Sequence, residues 1–288
     1  MVWVNVIIQG ILLGGLYALF ATGLSLIFGV MRLVNLAHGD MSVLAAYGAL
    51  VVVGATNINP FLSLVVIVPL MFALGYALQR GLLNYALDEG PMPPLLVTFG
   101  LSIIIQNLLL EVFSADSQRL QVGSFEDKAI TISNQIAIGW FPLLTLVTGI
   151  AVLLGLQLFM TRTRMGRAFR ATSDNQRAAQ LMGIDNRHLY GLAMAIALGI
   201  VGIAGIFLGI RTTFSPTVGP TRLIFAYEAV IIGGLGSIWG TLVGGIVLGV
   251  AQVVGFQINP GWGVLAGHLV FLAVLAFRPS GLFAKQVA

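Results

Sequence analysis

Few side chains in this sequence could act chemically on a bound molecule. His38 and Asp40 stand two apart in NLAHGD, with Asn35 just before them and Gly39 between. Glu228 lies within the apolar run LIFAYEAVIIGG. A histidine beside a carboxylate can move protons, but no serine occupies a G-x-S-x-G turn near them to act as nucleophile. His188 and His268 are far away along the chain, and the histidines and carboxylates lack metal-ligand spacing. There is no cysteine, which excludes disulfides, thiolate metal sites and a thiol nucleophile. The two lysines, Lys128 and Lys285, fall outside any G-x-x-x-x-G-K-[ST] loop, so the sequence carries no such phosphate cradle for ATP. The polar groups are therefore read as pathway lining or helix-end structure, and the chain is not expected to be an enzyme.

The elements that position them are dictated by composition. The chain is 58% hydrophobic and 8% charged, against about 25% charged in an ordinary soluble domain. Its apolar runs are about 20 residues long, enough for a helix to cross a hydrocarbon core of about 30 Å, and they are not the alternating ten-residue runs of a barrel. The expected fold is an all-α, polytopic helical bundle in the membrane, a single transmembrane domain over residues 1–288 with a polar cytoplasmic loop at 161–188. Apolar runs near 4–30, 41–56, 61–79, 94–113, 136–160, 189–210, 223–235, 238–256 and 264–277 give nine candidate crossings. The two around residues 233–237 are short or abut, so eight to ten are expected. The first run has no basic flank or small-residue cleavage site ahead of it, which predicts a retained span.

Residues 161–188, TRTRMGRAFRATSDNQRAAQLMGIDNRH, hold six of the fourteen basic side chains. Short basic loops stay cytoplasmic, so Arg162, Arg164, Arg167, Arg170, Arg177 and Arg187 are placed inside. Alternation then puts Arg32, Arg80, Arg278 and Lys285 inside and Arg119, Lys128, Arg211 and Arg222 outside, ten against four. The net charge of +4 reports this bias and not nucleic-acid binding.

Glycines four apart, at Gly10 and Gly14, Gly205 and Gly209, Gly236 and Gly240, Gly240 and Gly244, and Gly245 and Gly249, allow close helix contact, within this chain or against a second membrane subunit. GILLGG at 10–15 echoes GTLVGG at 240–245.

At membrane depth two readings stand side by side. Asn35, His38 and Asp40 line a pathway, or they form a turn in which Asp40 caps the positive end of the next helix. Thr98, Gln106 and Asn107 give the fourth run a polar face suited to weak contact with a solute. Glu228 is either in an ion pair, with Arg222 or Arg211, or part of the pathway.

Within the polar loop, Ser173 and Gln176 have the S-x-x-Q spacing of a capping box, which predicts a two-turn helix from Asp174 to Met182, stopped at Gly183. A helix that short is marginal alone in water, so it must lie against something. A loop that only fixes topology needs charge alone, and two turns bury little area in a lipid surface. A docking helix accounts best for Ala178, Ala179, Leu181 and Met182 beside Arg177.

RAAQLMG at 177–183 resembles the EAA-x-x-x-G loop of ABC importer permeases, with Arg177 where that motif has glutamate and without the downstream Ile-x-Leu-Pro. SLIFGVMRLVNLAHGDMSVLAAYGA at 25–49, GGLGSIWGTLVGGIVLGV at 233–250 and FRPSGLF at 277–283 are similar to the branched-chain amino acid permease family, in particular its H-type subunit. The resemblance covers nearly the whole chain. It implies a bacterial inner-membrane importer with a second, related permease subunit, two cytoplasmic ATPase subunits that hold ATP and Mg, and an extracytoplasmic binding protein, while this chain binds no cofactor. It also implies ATPase coupling through Arg167, Arg170, Ser173, Asp174, Asn175, Gln176, Arg177, Ala178, Ala179, Leu181, Met182 and Gly183, with a candidate path along Asn35, His38, Asp40, Thr98, Gln106 and Glu228. Urea, short amides and aromatic acids are alternative cargoes within that family. An autonomous ion-coupled transporter or channel using Asp40 and Glu228 is the more remote alternative.

Overall fold

A computed structural model describes residues 2–90, 92–125, 128–133 and 136–283. Lys285, expected on the cytoplasmic side, lies outside the described residues. The helices are α1 (Val2–Met31), α2 (His38–Thr56), α3 (Leu64–Leu78), α4 (Asn84–Asp88), α5 (Met92–Phe113), α6 (Trp140–Arg162), α7 (Arg164–Asp174), α8 (Gln176–Leu181), α9 (Asn186–Arg211), α10 (Gly219–Gly233), α11 (Ile238–Ile258) and α12 (Gly263–Phe277). Eight stretches among the described residues are long and apolar enough to cross a membrane, α3 and α4 counting as one over Pro60–Asp88. The expected run at 223–235 is α10, whose 15 residues span about 22 Å at 1.5 Å per residue, less than a bilayer core.

Polar caps set several helix starts. Thr163 accepts from the Gly166 amide, Asn175 from Ala178, Asp185 from His188 and Ser237 from Gly240. Each satisfies an amide that the first helical turn leaves free. Ala129–Ser133 and Ile136–Gly139 form an antiparallel strand pair, β1 and β2, with an irregularity between Thr131 and Ser133, so the crossing expected from residue 136 begins as helix only at Trp140.

The chain divides into two compact units. The first comprises Met1–Ser25, Gln121–Leu153 and Ile224–Ala288. Its centre is a glycine seam: a Cβ on Gly14 would lie 2.5 Å from Ile246 Cα, and one on Gly245 would lie 2.7 Å from the Ala18 nitrogen. The two echoing segments, 10–15 and 240–245, thus sit on facing helices, α1 and α11. Gly244 faces Ala229 and Gly240 faces Gly233 on α10. Residues after α12 return to the end of α10, where the Leu282 amide donates to Ile232 at 2.9 Å. Exposed Val264, Leu265, Leu269 and Leu272 on α12 give the apolar outer face that lipid requires.

The second unit comprises Leu26–Leu120 and Leu154–Leu223, and it is built around α9, which is buried along most of its length. A Cβ on Gly75 of α3 would stand 2.7 Å from the Met194 carbonyl oxygen, and Gly205 faces the Ser42 carbonyl of α2. At the N-terminal end of α9, Arg80 meets Asp185 at 3.6 Å and Arg187 pairs with Asp88. At its C-terminal end the Arg119 Nε donates to the Ile210 carbonyl at 3.2 Å and Arg222 donates to Thr212 at 3.4 Å. Arg80 and Arg187 therefore share one end of this unit, and Arg119 and Arg222 the other, as the alternation requires.

Gly245→Leu is expected to lower the stability of the detergent-purified protein by about 3 kcal/mol, the upper range for overpacking. Gly54→Ala, at a helical site with nothing within 4 Å, should be neutral or stabilising by up to about 1 kcal/mol. Thermal unfolding of the two variants checks both.

Candidate functional site

Two groups of side chains stand out, both within the second unit: the polar segment of α7 and α8, and a buried polar cluster at the start of α2.

In the first, the anchor is α7. Its Phe169 is fully buried, and a Cβ on Gly166 would meet Met160 Cα at 2.5 Å, so α7 folds tightly against the end of α6. Arg170 Nη1 donates to the Met160 carbonyl at 2.5 Å, which makes Arg170 an anchor, while Arg167 is exposed. The capping box expected at Ser173 does not form. Ser173 lies in the last turn of α7, and its hydroxyl donates to the Gly29 carbonyl at 2.5 Å, fastening α7 to the end of α1. Asp174 ends α7, so the expected helix start moves two residues on to Gln176, with Asn175 Oδ1 accepting from the Ala178 amide at 3.0 Å.

The expected stop at Gly183 is present. Its φ is +82°, the Gly183 amide donates to Gln180 at 3.0 Å and the Ile184 amide to Ala179 at 3.1 Å, the bond pair of a Schellman motif. Ala179 is buried, whereas Gln176, Arg177 and Ala178 are exposed, and Leu181 and Met182 are 89% and 83% exposed. Two large apolar side chains thus project from a helix that is fixed at both ends. A cleft of about 310 Å³ opens beside it, between Arg32 and Arg177, floored by Thr172, Ser173 and Tyr190.

The residue that ties this segment to the bundle is Asn186, for which no local sequence cue exists. It is buried, its Oδ1 accepts from the Thr172 hydroxyl of α7 at 3.2 Å, and its Nδ2 donates to the Gln176 carbonyl of α8 at 3.0 Å. One side chain at the first position of α9 therefore holds both short helices.

The second group lies where the chain leaves α1 and crosses residues 32–37 without helix. Such a break frees backbone groups that must be paired inside a bundle. Asn35 Oδ1 accepts from the Ala37 amide at 3.0 Å, and Thr98 Oγ1 accepts from the Leu36 amide at 3.2 Å while donating to Pro94. Asn35 Nδ2 points to the Met194 sulfur of α9 at 3.9 Å. His38 is buried in the first turn of α2. Asp40, with 0% exposure, accepts from the Ser102 hydroxyl at 2.5 Å, and Gln106 Nε2 donates to Ser102 Oγ at 3.0 Å. Thr98, Ser102 and Gln106 recur every fourth residue and so share one face of α5. Ser102 was legible from that spacing. Asn107 is not on this face; it is exposed and donates to the Ile103 carbonyl at 2.8 Å.

The start of α2 is pressed against the start of α10: a Cβ on Gly219 would stand 2.6 Å from Asp40 Cγ. Asp40 is the acidic residue in the first turn of α2, where the helix dipole favours negative charge. It therefore lies at the positive end of α2, where Ala37 holds the cap position without a side-chain hydrogen bond, and also belongs to a buried polar chain.

Glu228 belongs to the first unit. Neither Arg222 nor Arg211 is its partner: it pairs with His268 of α12. Phe225 stacks on that imidazole with centroids 6.2 Å apart, and it also contacts Tyr17, whose hydroxyl donates to Gln252 at 2.5 Å. The partner lies 40 residues away, too far for sequence proximity to reveal. No group of three or more metal-ligating side chains occurs among the described residues.

Comparison with known proteins follows this geometry. Residues 6–275 match the family described as branched-chain amino acid transport system / permease component. The high-affinity branched-chain amino acid transport system permease protein BraD of Pseudomonas aeruginosa is 29% identical, over 97% of this chain and 95% of that protein. The corresponding protein LivH of Escherichia coli K12 is 26% identical, over 96% of this chain and 94% of its own length. A probable branched-chain amino acid transport permease protein of Methanocaldococcus jannaschii is 28% identical, over 96% and 92%. Eight stretches long and apolar enough to cross a membrane and a match that covers nearly all the chain place it in the branched-chain amino acid transport permease family, as a multi-pass membrane transport subunit.

Proposed function

We propose that this chain is a membrane subunit of a bacterial inner-membrane ABC importer that carries branched-chain amino acids inward. It works beside a second, related permease subunit, receives its cargo from an extracytoplasmic binding protein, and is driven by two cytoplasmic ATPase subunits that hold ATP and Mg. The relatives that match over nearly their full length carry branched-chain amino acid transport in their names, which supports the cargo.

The observation that carries the coupling role is the pair Leu181 and Met182, apolar and 89% and 83% exposed at the end of α8. Large apolar side chains held out on a capped, rigid helix are what a protein groove can grip. Arg167, Asp174, Gln176 and Arg177 form the polar rim around them, while Arg170, Ser173 and Ala179 fix the segment from beneath. A displacement of α8 by a bound ATPase is carried to α7 and α9 through Asn186. Along α9 it reaches Met194, beside Asn35, and Gly205, against Ser42. These contacts surround the first turns of α2, where Asp40 lies.

Asn35, His38, Asp40, Thr98 and Gln106 are accordingly proposed to border the path, offering polar contacts to a solute that passes without being held tightly. Glu228, in the first unit, is proposed as a separate candidate pathway group through its second carboxylate oxygen, which has no hydrogen-bond partner among the described residues. Asp40→Ala should reduce ATP-driven leucine uptake by reconstituted transporter at least tenfold while leaving ATPase subunits bound.

Replacing both Leu181 and Met182 by aspartate is expected to weaken ATPase co-purification at least tenfold; retention at the unmodified level would refute the docking role. Asn186→Ala removes one buried and one half-buried hydrogen bond and leaves the Thr172 hydroxyl without its buried partner, about 1–3 kcal/mol. Amides of α8 should then exchange with solvent about tenfold faster or more, read by hydrogen-deuterium exchange of the purified protein.

A further inference from the structure

Between α3 and α4 the chain winds as a π helix over Gln79–Leu83, and the Asn84 amide donates to the Gln79 carbonyl. In an α-helix, residues five apart project about 140° from each other around the axis. The wider π turn, closed by bonds between residues five apart, brings Gln79 and Asn84 onto one face. There Gln79 Nε2 donates to Asn84 Oδ1 at 2.9 Å, and Asn84 Nδ2 donates to the backbone carbonyl of Arg187 at 3.2 Å. Both side chains are buried.

The receiving carbonyl belongs to the residue after Asn186, so the π segment grips the same turn of α9 that holds α7 and α8. Other links converge on that turn: the Tyr76 hydroxyl meets His188 Nδ1 at 2.8 Å, Arg80 meets Asp185, and Arg187 meets Asp88. The two ion pairs are exposed and contribute little. The amides are a different matter. Burying them costs free energy that leucines at the same positions would not, so packing alone does not account for them. Leucines could not hold a backbone carbonyl in place.

We propose that the π segment is a transmission joint, with Gln79 and Asn84 as positioning residues that lock the first turn of α9 to α3 and α4. These elements and the coupling segment then move as one body when an ATPase displaces α8. The proposal builds on the coupling role of residues 176–183 and assigns no contact with the solute.

The chain contains no cysteine, so spin labels can be introduced cleanly through Tyr85→Cys on α4 and Ala171→Cys on α7, both exposed positions that take no part in the docking surface. The distance between them is measured in the purified transporter complex, nucleotide-free and trapped with ATP and vanadate. The joint predicts one narrow distribution, unchanged between the two states. Asn84→Ala should at least double its width, and the exchanged pair Gln79→Asn with Asn84→Gln should narrow it again. The double variant Gln79→Leu, Asn84→Leu keeps the segment packed and should still be broad. Distributions as narrow as the unmodified protein's in both the alanine and the leucine variants would overturn the proposal. The docking role fails separately, through ATPase subunits that stay bound when Leu181 and Met182 are made aspartate.

Discussion

Contact between helix backbones along α9 is the constraint from which the second unit takes its form. Gly75 brings α3 against Met194, Gly191 admits the Tyr76 ring, and Gly205 receives the Ser42 carbonyl of α2. Lipid offers no hydrophobic drive between helices, so packing at this distance supplies the association. Because α2 and α3 both lie against α9 without room for intervening side chains, none of the three can shift far alone. A push on one end of α9 is therefore felt along its neighbours.

Each end of that push is chemically distinct. At the N-terminal end of α9, Asn186 gathers α7 and α8 with one buried and one half-buried hydrogen bond, and the helix that projects beyond it exposes apolar side chains. Further along α9, Met194 and Gly205 face the broken start of α2, where Asn35 and Thr98 accept from backbone amides that the break frees and Ser102 donates to one oxygen of the Asp40 carboxylate. A polar break of this kind is tolerated only where protein or water surrounds it. The same helix thus contacts both the projecting segment and the place where polarity is concentrated.

Much of this was legible in the sequence because hydropathy and helix stops are local. Apolar run length predicted the bundle, and Gly183 marked the end of α8. Ser173 misled because S-x-x-Q is a local pattern, while the hydroxyl is taken by the Gly29 carbonyl, 144 residues away. Asn175 took the cap instead. The partner of Glu228 escapes a local reading for the same reason: Arg222 and Arg211 are near it in sequence, and His268 across the unit is not. Asn186 looked like an ordinary polar residue at a helix start, since its two partners come from different short helices. The π segment has no sequence signature at all, although Gln79 and Asn84 are unusual polar residues in a long apolar stretch.

The central claim is that events at α8 reach the buried cluster around Asp40. In this cysteine-free chain, Ser102→Cys places one thiol beside Asp40, and its alkylation rate by a water-soluble reagent can be followed in the complete transporter, nucleotide-free and trapped with ATP and vanadate. The account predicts at least a tenfold difference between the two states, abolished when residues 176–183 are replaced by a flexible linker. Equal rates in both states with the segment intact would contradict it.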